Sequence, residues 1–222
     1  MQNLGTLGGN ESWAYGVSAD GAVVVGTAYN ASGYTRAFRW TASSGRMDDL
    51  GHLGGGYSEA YAVSADGSVV VGWSYDRSGY PRAFRWTLSS GRMQDLGDLG
   101  GGGSAAYAVS ADGSVVVGLS SNAARRPRVF RWTESVGEME NLYATYGSLL
   151  TPGSTLEEVR AISPNGRYIV GWGINAATAR REAFLLDTRP RCTAPDGDVN
   201  GDGIVDDADL LIVLFNFGNR YR

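Results

Sequence analysis

Near its C-terminal end the 222-residue chain carries Asp198-Val199-Asn200-Gly201-Asp202-Gly203-Ile204-Val205-Asp206-Asp207-Ala208-Asp209. Oxygen-bearing side chains fall at loop positions 1, 3, 5, 9 and 12, and Gly203 stands at position 6, where such a loop turns sharply. A hard cation takes about six to eight oxygen ligands, and alternate residues of a curled loop aim their oxygens inward. Asp198, Asn200, Asp202, Asp206 and Asp209, with the backbone carbonyl of Ile204, are therefore the expected ligands of a Ca2+ ion. Other metal and nucleophile chemistry has little to draw on. His52 is the single histidine and Cys192 the single cysteine, so neither an internal disulfide nor a thiolate cluster can form. Every one of the 19 basic residues is arginine, which excludes lysine bases and Schiff bases.

The elements ahead of this loop are repeats. Ser18-Ala19-Asp20-Gly21 returns as Ser64-Ala65-Asp66-Gly67 and Ser110-Ala111-Asp112-Gly113, 46 residues later each time. Phe38-Arg39-Trp40 returns in step as Phe84-Arg85-Trp86 and Phe130-Arg131-Trp132, and Leu4-Gly5-Thr6-Leu7-Gly8-Gly9 returns at Leu50 and Leu96. A fourth, looser copy carries Ser163-Pro164-Asn165-Gly166, 53 residues after its predecessor, and Ala183-Phe184-Leu185 in place of the Phe-Arg-Trp strand. A period of this size marks a solenoid, propeller or array, in which one unit cannot bury its own apolar face.

Each repeat reads as four short strands. Ala14 to Val17 leads into an Asp-Gly hairpin, and Ala22 to Gly26 is a continuous β-branched run suited to burial on both faces. Arg36 to Trp40 alternates Phe and Trp inward with Arg outward, and Ser43-Ser44-Gly45 returns the chain into Met47 to Leu53. Four strands per repeat predict an all-β fold, a β-propeller of antiparallel blades, with repeats at about 12–53, 58–99, 104–142 and 157–187. The chain opens on a fourth strand without its first three and ends its last repeat on three strands without a fourth. Residues 1–7 are accordingly expected to complete the last of four blades, which would remove the exposed edge. The competing account is a larger propeller cut at an internal methionine, because Met1 aligns with Met47 and Met93.

The pattern "G-V-S-x-D-G-x-V-V-G … R-A-F-R-W … G-x-M-x-D-L-G-x-L-G-G" over residues 1–187 resembles the extracellular repeat family called HAF. Arg36, Arg82, Arg128 and Glu182 stand where that family has its histidine, so no role of that histidine carries over. The resemblance implies a bacterial protein of the extracellular space or cell surface and no particular reaction. After a 188–197 linker, residues 198–218 resemble a single type I dockerin repeat: a calcium loop with Asp at its last position, then a helix from Leu210 ending near Gly218. That likeness implies a cohesin-like or cell-surface protein as partner. The usual module packs two such segments together, and this chain has one.

A formal charge of −4 and a pI near 5.0 argue against nucleic acid as a partner, and no apolar run reaches the length of a membrane span. Asp20, Asp66 and Asp112 read as turn residues, and Trp40, Trp86 and Trp132, like Tyr15, Tyr61 and Tyr107, as packing between blades. The repeats differ most in the links between their second and third strands and from one blade to the next. Tyr34, Trp73, Arg77, Tyr80, Arg125 and Arg126 are the resulting candidates for ligand contact on one variable face. The leading expectation is a non-enzymatic binding or scaffold propeller with a calcium-binding attachment tail. The alternatives are a glycan-binding propeller and a carbohydrate-active enzyme, for which Glu59, Asp76 and Asp98 are available but unpaired by spacing.

Overall fold

The computed structural model describes residues 1–188, which form four antiparallel sheets in chain order. The first holds β1 (Gly8–Val17), β2 (Val23–Asn30), β3 (Thr35–Thr41) and β4 (Arg46–Asp49). The second holds β5 (Gly54–Val63), β6 (Val69–Asp76), β7 (Pro81–Thr87) and β8 (Arg92–Asp95). The third holds β9 (Gly100–Val109), β10 (Val115–Asn122), β11 (Pro127–Thr133) and β12 (Met139–Asn141). The extra residues of the last repeat form a short helix, α1 (Leu142–Tyr146), and a 3-10 turn over Gly147–Leu149. β13 (Thr155–Ile162), β14 (Tyr168–Asn175) and β15 (Arg180–Asp187) complete the fourth sheet, which has three strands.

The loop between the first two strands of each sheet explains the repeated Ser-Ala-Asp-Gly. Asp20 Oδ1 accepts from Ser18 Oγ at 2.6 Å and from the Ala22 N–H at 2.9 Å, and Ser18 Oγ in turn accepts from the Val23 N–H. Ser18 N–H donates to Val23 O, so four residues form the loop and not the two that Asp-Gly alone suggests. The serine and aspartate side chains satisfy backbone groups that a tighter turn would have paired directly. The same bonds recur around Asp66 and Asp112, and Asn165 takes the position in the fourth copy.

These loops also join blade to blade. Ala19 N–H donates to Ala65 O, Ala65 N–H to Ala111 O, and Ala111 N–H to Pro164 O, each at 2.9 Å. Between the sheets, Val23, Val25 and Ala37 of one blade pack on Ala60, Val70, Phe84 and Trp86 of the next. The same set recurs one repeat later, with Val69, Val71 and Ala83 on Ala106, Val116, Phe130 and Trp132. Both faces of an inner blade are therefore buried, which corrects the expectation that the β3 arginine points outward. Arg39 Nε reaches Gly67 O at 3.1 Å and its guanidinium lies 6.0 Å from the Trp86 ring centre. Arg85 does the same to Gly113 and Trp132.

Closure by residues 1–7 is not met. Leu4 and Leu7 pack against Ala28, Phe38 and Trp40 of the first blade, and Leu7 bridges to Asn30 in parallel. β15 pairs with β14 alone among the described residues. The physical reason lies in the repeat itself: Leu50 and Leu53 pack in front of the second blade, on Phe84 and Trp86. Leu4 and Leu7 keep that role for the first blade. Counting strands gave the right number and the wrong neighbour.

Candidate ligand-binding cleft

Each first strand is broken by a bulge, and a glycine in the adjacent strand makes room for it. Ala60 pairs with Gly72 and Ala62 with Val71, which leaves Tyr61 as the unpaired extra residue. A Cβ on Gly72 would lie 1.9 Å from the Glu59 carbonyl oxygen, so only glycine admits the inner strand this closely. The equivalent bulges leave out Tyr15, Tyr107 and Arg160. A bulge re-aims the side chain of its extra residue, and here it lines the four up. Tyr15 and Tyr61 meet edge-on with ring centres 5.7 Å apart, and Tyr61 and Tyr107 lie 5.6 Å apart with a 32° tilt. Arg160, ion-paired to Glu158 at 2.6 Å, ends the row.

Trp73 joins this row at Tyr61. Its Nε1–H donates to the Tyr61 hydroxyl at 3.0 Å, and that hydroxyl donates to Glu59 Oε2 at 2.8 Å. Burial, with the Glu59 carboxylate beside it, pushes the Tyr61 hydroxyl well above the usual phenol range, so it remains a donor. Trp73 also meets Tyr75 edge-on at 4.9 Å, Tyr75 meets Tyr57 at 6.1 Å, and Tyr57 meets Tyr34 at 5.5 Å. A continuous track of aromatic rings therefore runs from Tyr34 to Tyr107.

Between the second and third blades the track opens into a cleft of about 330 Å³. Tyr61, Trp73, Tyr75 and Pro81 form one wall; Gly103, Ala105, Tyr107, Ser121 and Pro127 lie across from them. The cleft exists because the third repeat is small where the second is large. Gly103, Ala105 and Ser121 stand where Tyr57, Glu59 and Tyr75 stand one repeat earlier. At the first junction those larger side chains, with Tyr57 and Tyr75 in ring contact, occupy the equivalent space.

Of the residues chosen from the sequence, Trp73 lines the cleft and Tyr34 reaches it through Tyr57 and Tyr75. Tyr80 is exposed at its edge, with its ring over Gly102. Arg77, Arg125 and Arg126 are exposed on the β-turns and do not line it. Those turns vary in side chain but share one backbone: Asn30, Asp76 and Asn122 each accept from the N–H groups two and four residues on. Tyr61 and Tyr107, expected only to pack between blades, line the cleft, and so does Tyr75 at the start of the variable link, which was not among the chosen contact residues. The glycine ending each valine run was the available signal of a bulge.

The carboxylates sit in structural pairs. Arg82 bridges Asp76, at 3.1 Å, and Asp98. His52 Nδ1 accepts from the N–H groups of Gly54 and Gly56, so it shapes a turn, as Asp98 does one repeat later. The calcium ligand set, Asp198 to Asp209, lies outside the described residues.

Sheets of antiparallel strands in chain order, stacked face to face with their first strands adjoining, define a β-propeller. Solved structures agree. A TolB structure from Acinetobacter baumannii matches at 23% identity and a TM-score of 0.55, over 78% of this chain and 40% of that one. A TolB-type protein from Agrobacterium tumefaciens matches at 18% and 0.50, over 82% and 60%. A prolyl endopeptidase structure matches at 17% and 0.51, over 80% and 27%. The chain thus spans less than two thirds of each of these proteins, and the likeness is one of fold. No family model matches the chain, and no curated protein does. No helix among the described residues is long and apolar enough to cross a membrane.

Proposed function

We propose that this chain is a non-enzymatic binding propeller of the extracellular space or cell surface, carrying a calcium-dependent attachment tail. The observation that carries the reading is the cleft between the second and third blades. The junction between these blades opens where the first junction carries larger side chains, and is lined by Tyr61, Trp73, Tyr75 and Tyr107. Concave, mostly apolar sites with a few fixed polar groups are the usual form of a small-ligand site. A glycan suits these walls: aromatic faces pack on the C–H faces of a sugar ring, while the Tyr61 hydroxyl and Ser121 offer hydrogen bonds to its hydroxyls. The pairing of Asp76 and Asp98 with Arg82, and of Glu59 with Tyr61, supports binding over hydrolysis, which needs a free carboxyl pair.

The tail rests on its donor set. Asp198, Asn200, Asp202, Asp206, Asp209 and the Ile204 carbonyl match the oxygen chemistry of Ca2+, and a cohesin-like or surface protein is the partner this tail would attach. A glycan array screened with the native chain and with Trp73→Ala tests the cleft. Binding that Trp73→Ala removes supports it; binding equal in both, or polysaccharide turnover, overturns it. Calorimetry tests the tail: Ca2+ binding that Asp198→Ala abolishes is expected, and no calcium heat with the native chain rejects the site.

A further inference from the structure

In the second blade two carboxylates close around Arg82. Asp76 Oδ2 takes its Nε–H at 3.1 Å, and Asp98 Oδ2 takes its Nη1–H. Each carboxylate also caps a turn with its other oxygen, Asp76 for Ser78 and Tyr80 and Asp98 for Gly100 and Gly102. In the first blade Arg36 stands where Arg82 does, but Asn30 replaces Asp76 and His52 replaces Asp98. The Arg36 side chain is 13% exposed, and its Nε and Nη1 are buried without a hydrogen bond among the described residues. These are the two atoms that Arg82 commits to carboxylates.

The replacements set donors against a donor. Asn30 Oδ1 is taken by the Ser32 and Tyr34 N–H groups, so its NH2 stands where Asp76 offers Oδ2. The fourth blade shows what such an amide takes: Asn175 Oδ1 caps the same turn, and its Nδ2 donates to Glu182 Oε2 at 2.7 Å. His52 Nδ1 accepts from the Gly54 and Gly56 N–H groups, so the neutral ring carries its proton on Nε2, a further donor. Burial, then the Arg36 charge, holds that ring below the usual imidazole range against the pull of Asp49. Asp49 itself lies 3.7 Å from Arg36 Nε, beyond hydrogen-bond reach, and its Oδ1 accepts from the Gly51 N–H. Arg77 lays its side chain on the His52 turn, where a Cβ on Gly54 would fall 2.4 Å from its Cγ. Arg36 and Arg77 against Asp49 leave one positive charge.

We infer that this junction of the first two blades binds the carboxylate of an acidic sugar, which gives Arg36, Asn30 and His52 the acceptor that Asp76 and Asp98 give Arg82. A carboxylate is the group the other repeats place at this point, and its bonds to a guanidinium are among the stronger hydrogen bonds. A buried donor left unmet costs stability, and a bound acceptor recovers it. Tyr34 and His52, beside the guanidinium, are exposed side chains whose rotamer changes are fast enough to admit the ligand. Position favours a sugar over a bare anion: Arg36 Cζ lies 5.9 Å from the centre of the Tyr34 ring, where the aromatic track to the cleft begins. The assignment to a sugar rests on the glycan reading of the cleft; the anion site does not.

The test uses the full chain. As the single histidine, His52 gives one ring signal, followed by NMR during titration with galacturonate, galactose and acetate at constant ionic strength. Galacturonate is expected to move that signal and raise the His52 pKa, and galactose to leave both unchanged. Acetate should act only at roughly tenfold higher concentration, and equal potency overturns the assignment to a sugar. Calorimetry with galacturonate then compares the native chain with Asn30→Asp/His52→Asp and with Arg36→Gln. The double variant rebuilds the arrangement of the second blade, so it should melt no lower than the native chain while binding roughly tenfold or more weakly. Arg36→Gln removes the charge without adding another and should lose the same affinity. A His52 signal indifferent to galacturonate overturns the inference, as does native affinity in the double variant. Trp73→Ala, which tests the cleft, should leave galacturonate binding intact, so either reading can fail without the other. Loss of galacturonate binding in Trp73→Ala would place the carboxylate in the cleft and overturn the Arg36 site.

Discussion

Gly103 and Tyr57 hold the same position in successive repeats, and the missing side chain at Gly103 leaves room for the cleft between the second and third blades. At the first junction the Tyr57 ring stands between Tyr34 and Tyr75. At the second junction no side chain is present at that point, and the Trp73–Tyr107 cleft takes its place. The cleft is therefore a local departure from a repeat and not a product of it.

Tyr61 ties the cleft wall together by accepting from Trp73 and donating to Glu59. Tyr61→Phe leaves both partners half-buried without their bond, and a loss of about 1–2 kcal/mol in urea unfolding is expected. An unchanged unfolding midpoint would show that the relay orients Trp73 without stabilising the blade.

Serine bonds make the blade loops sensitive to acid. Hydrogen bonds from Ser64 Oγ, the Ser68 N–H and Ser68 Oγ hold the Asp66 carboxyl down to about 2, and Asp20 and Asp112 shift the same way. A carboxylate depressed on folding stabilises the native state above its unfolded value, ordinarily 3.8, and that contribution is lost as pH falls from there toward 2. Melting temperature should fall steeply over that window. Asp66→Asn keeps the loop acceptor, as Asn165 does in the fourth blade, and should flatten the slope; a slope equal to the native one refutes the assignment.

Arg125 sits at φ +55° in the turn where the first two repeats place Gly33 and Gly79. The left-handed region costs an L-residue with a Cβ roughly 1–2 kcal/mol, partly offset by the extra chain entropy of glycine. Arg125→Gly should raise stability by about 0.5–1 kcal/mol in denaturant titration. A lower midpoint would mean the arginine side chain makes up for its strained backbone.

Much of the fold is legible in the sequence because its devices are local. The Ser-Ala-Asp-Gly loop, the valine strand and the Phe-Arg-Trp strand each declare themselves three times, and each forms the expected element. What a repeat does not declare is which neighbour an element meets. Leu4 and Leu7 were assigned to the last blade by counting strands, yet they pack on the first, as Leu50 and Leu53 do on the second. Alternation puts the β3 arginines in solvent, whereas Arg39 and Arg85 are covered by the blade that follows. The cleft was half visible. Variation pointed to Tyr34 and Trp73, while the bulge that turns Tyr61 and Tyr107 into the same space is a backbone event that alternation hides.

The central claim is that the cleft beside Gly103 holds the ligand. Gly103 has ordinary φ, and a Cβ there would meet Pro81 at 3.5 Å and Ser121 Oγ at 4.0 Å, both ordinary contacts, so a tyrosine can enter as it does at position 57. The direct measurement is an isothermal titration of the best oligosaccharide from the array into the native chain and into Gly103→Tyr, with melting curves for both. The account predicts at least a tenfold loss of affinity with an unchanged melting transition. Native affinity in Gly103→Tyr, with the fold intact, would contradict it.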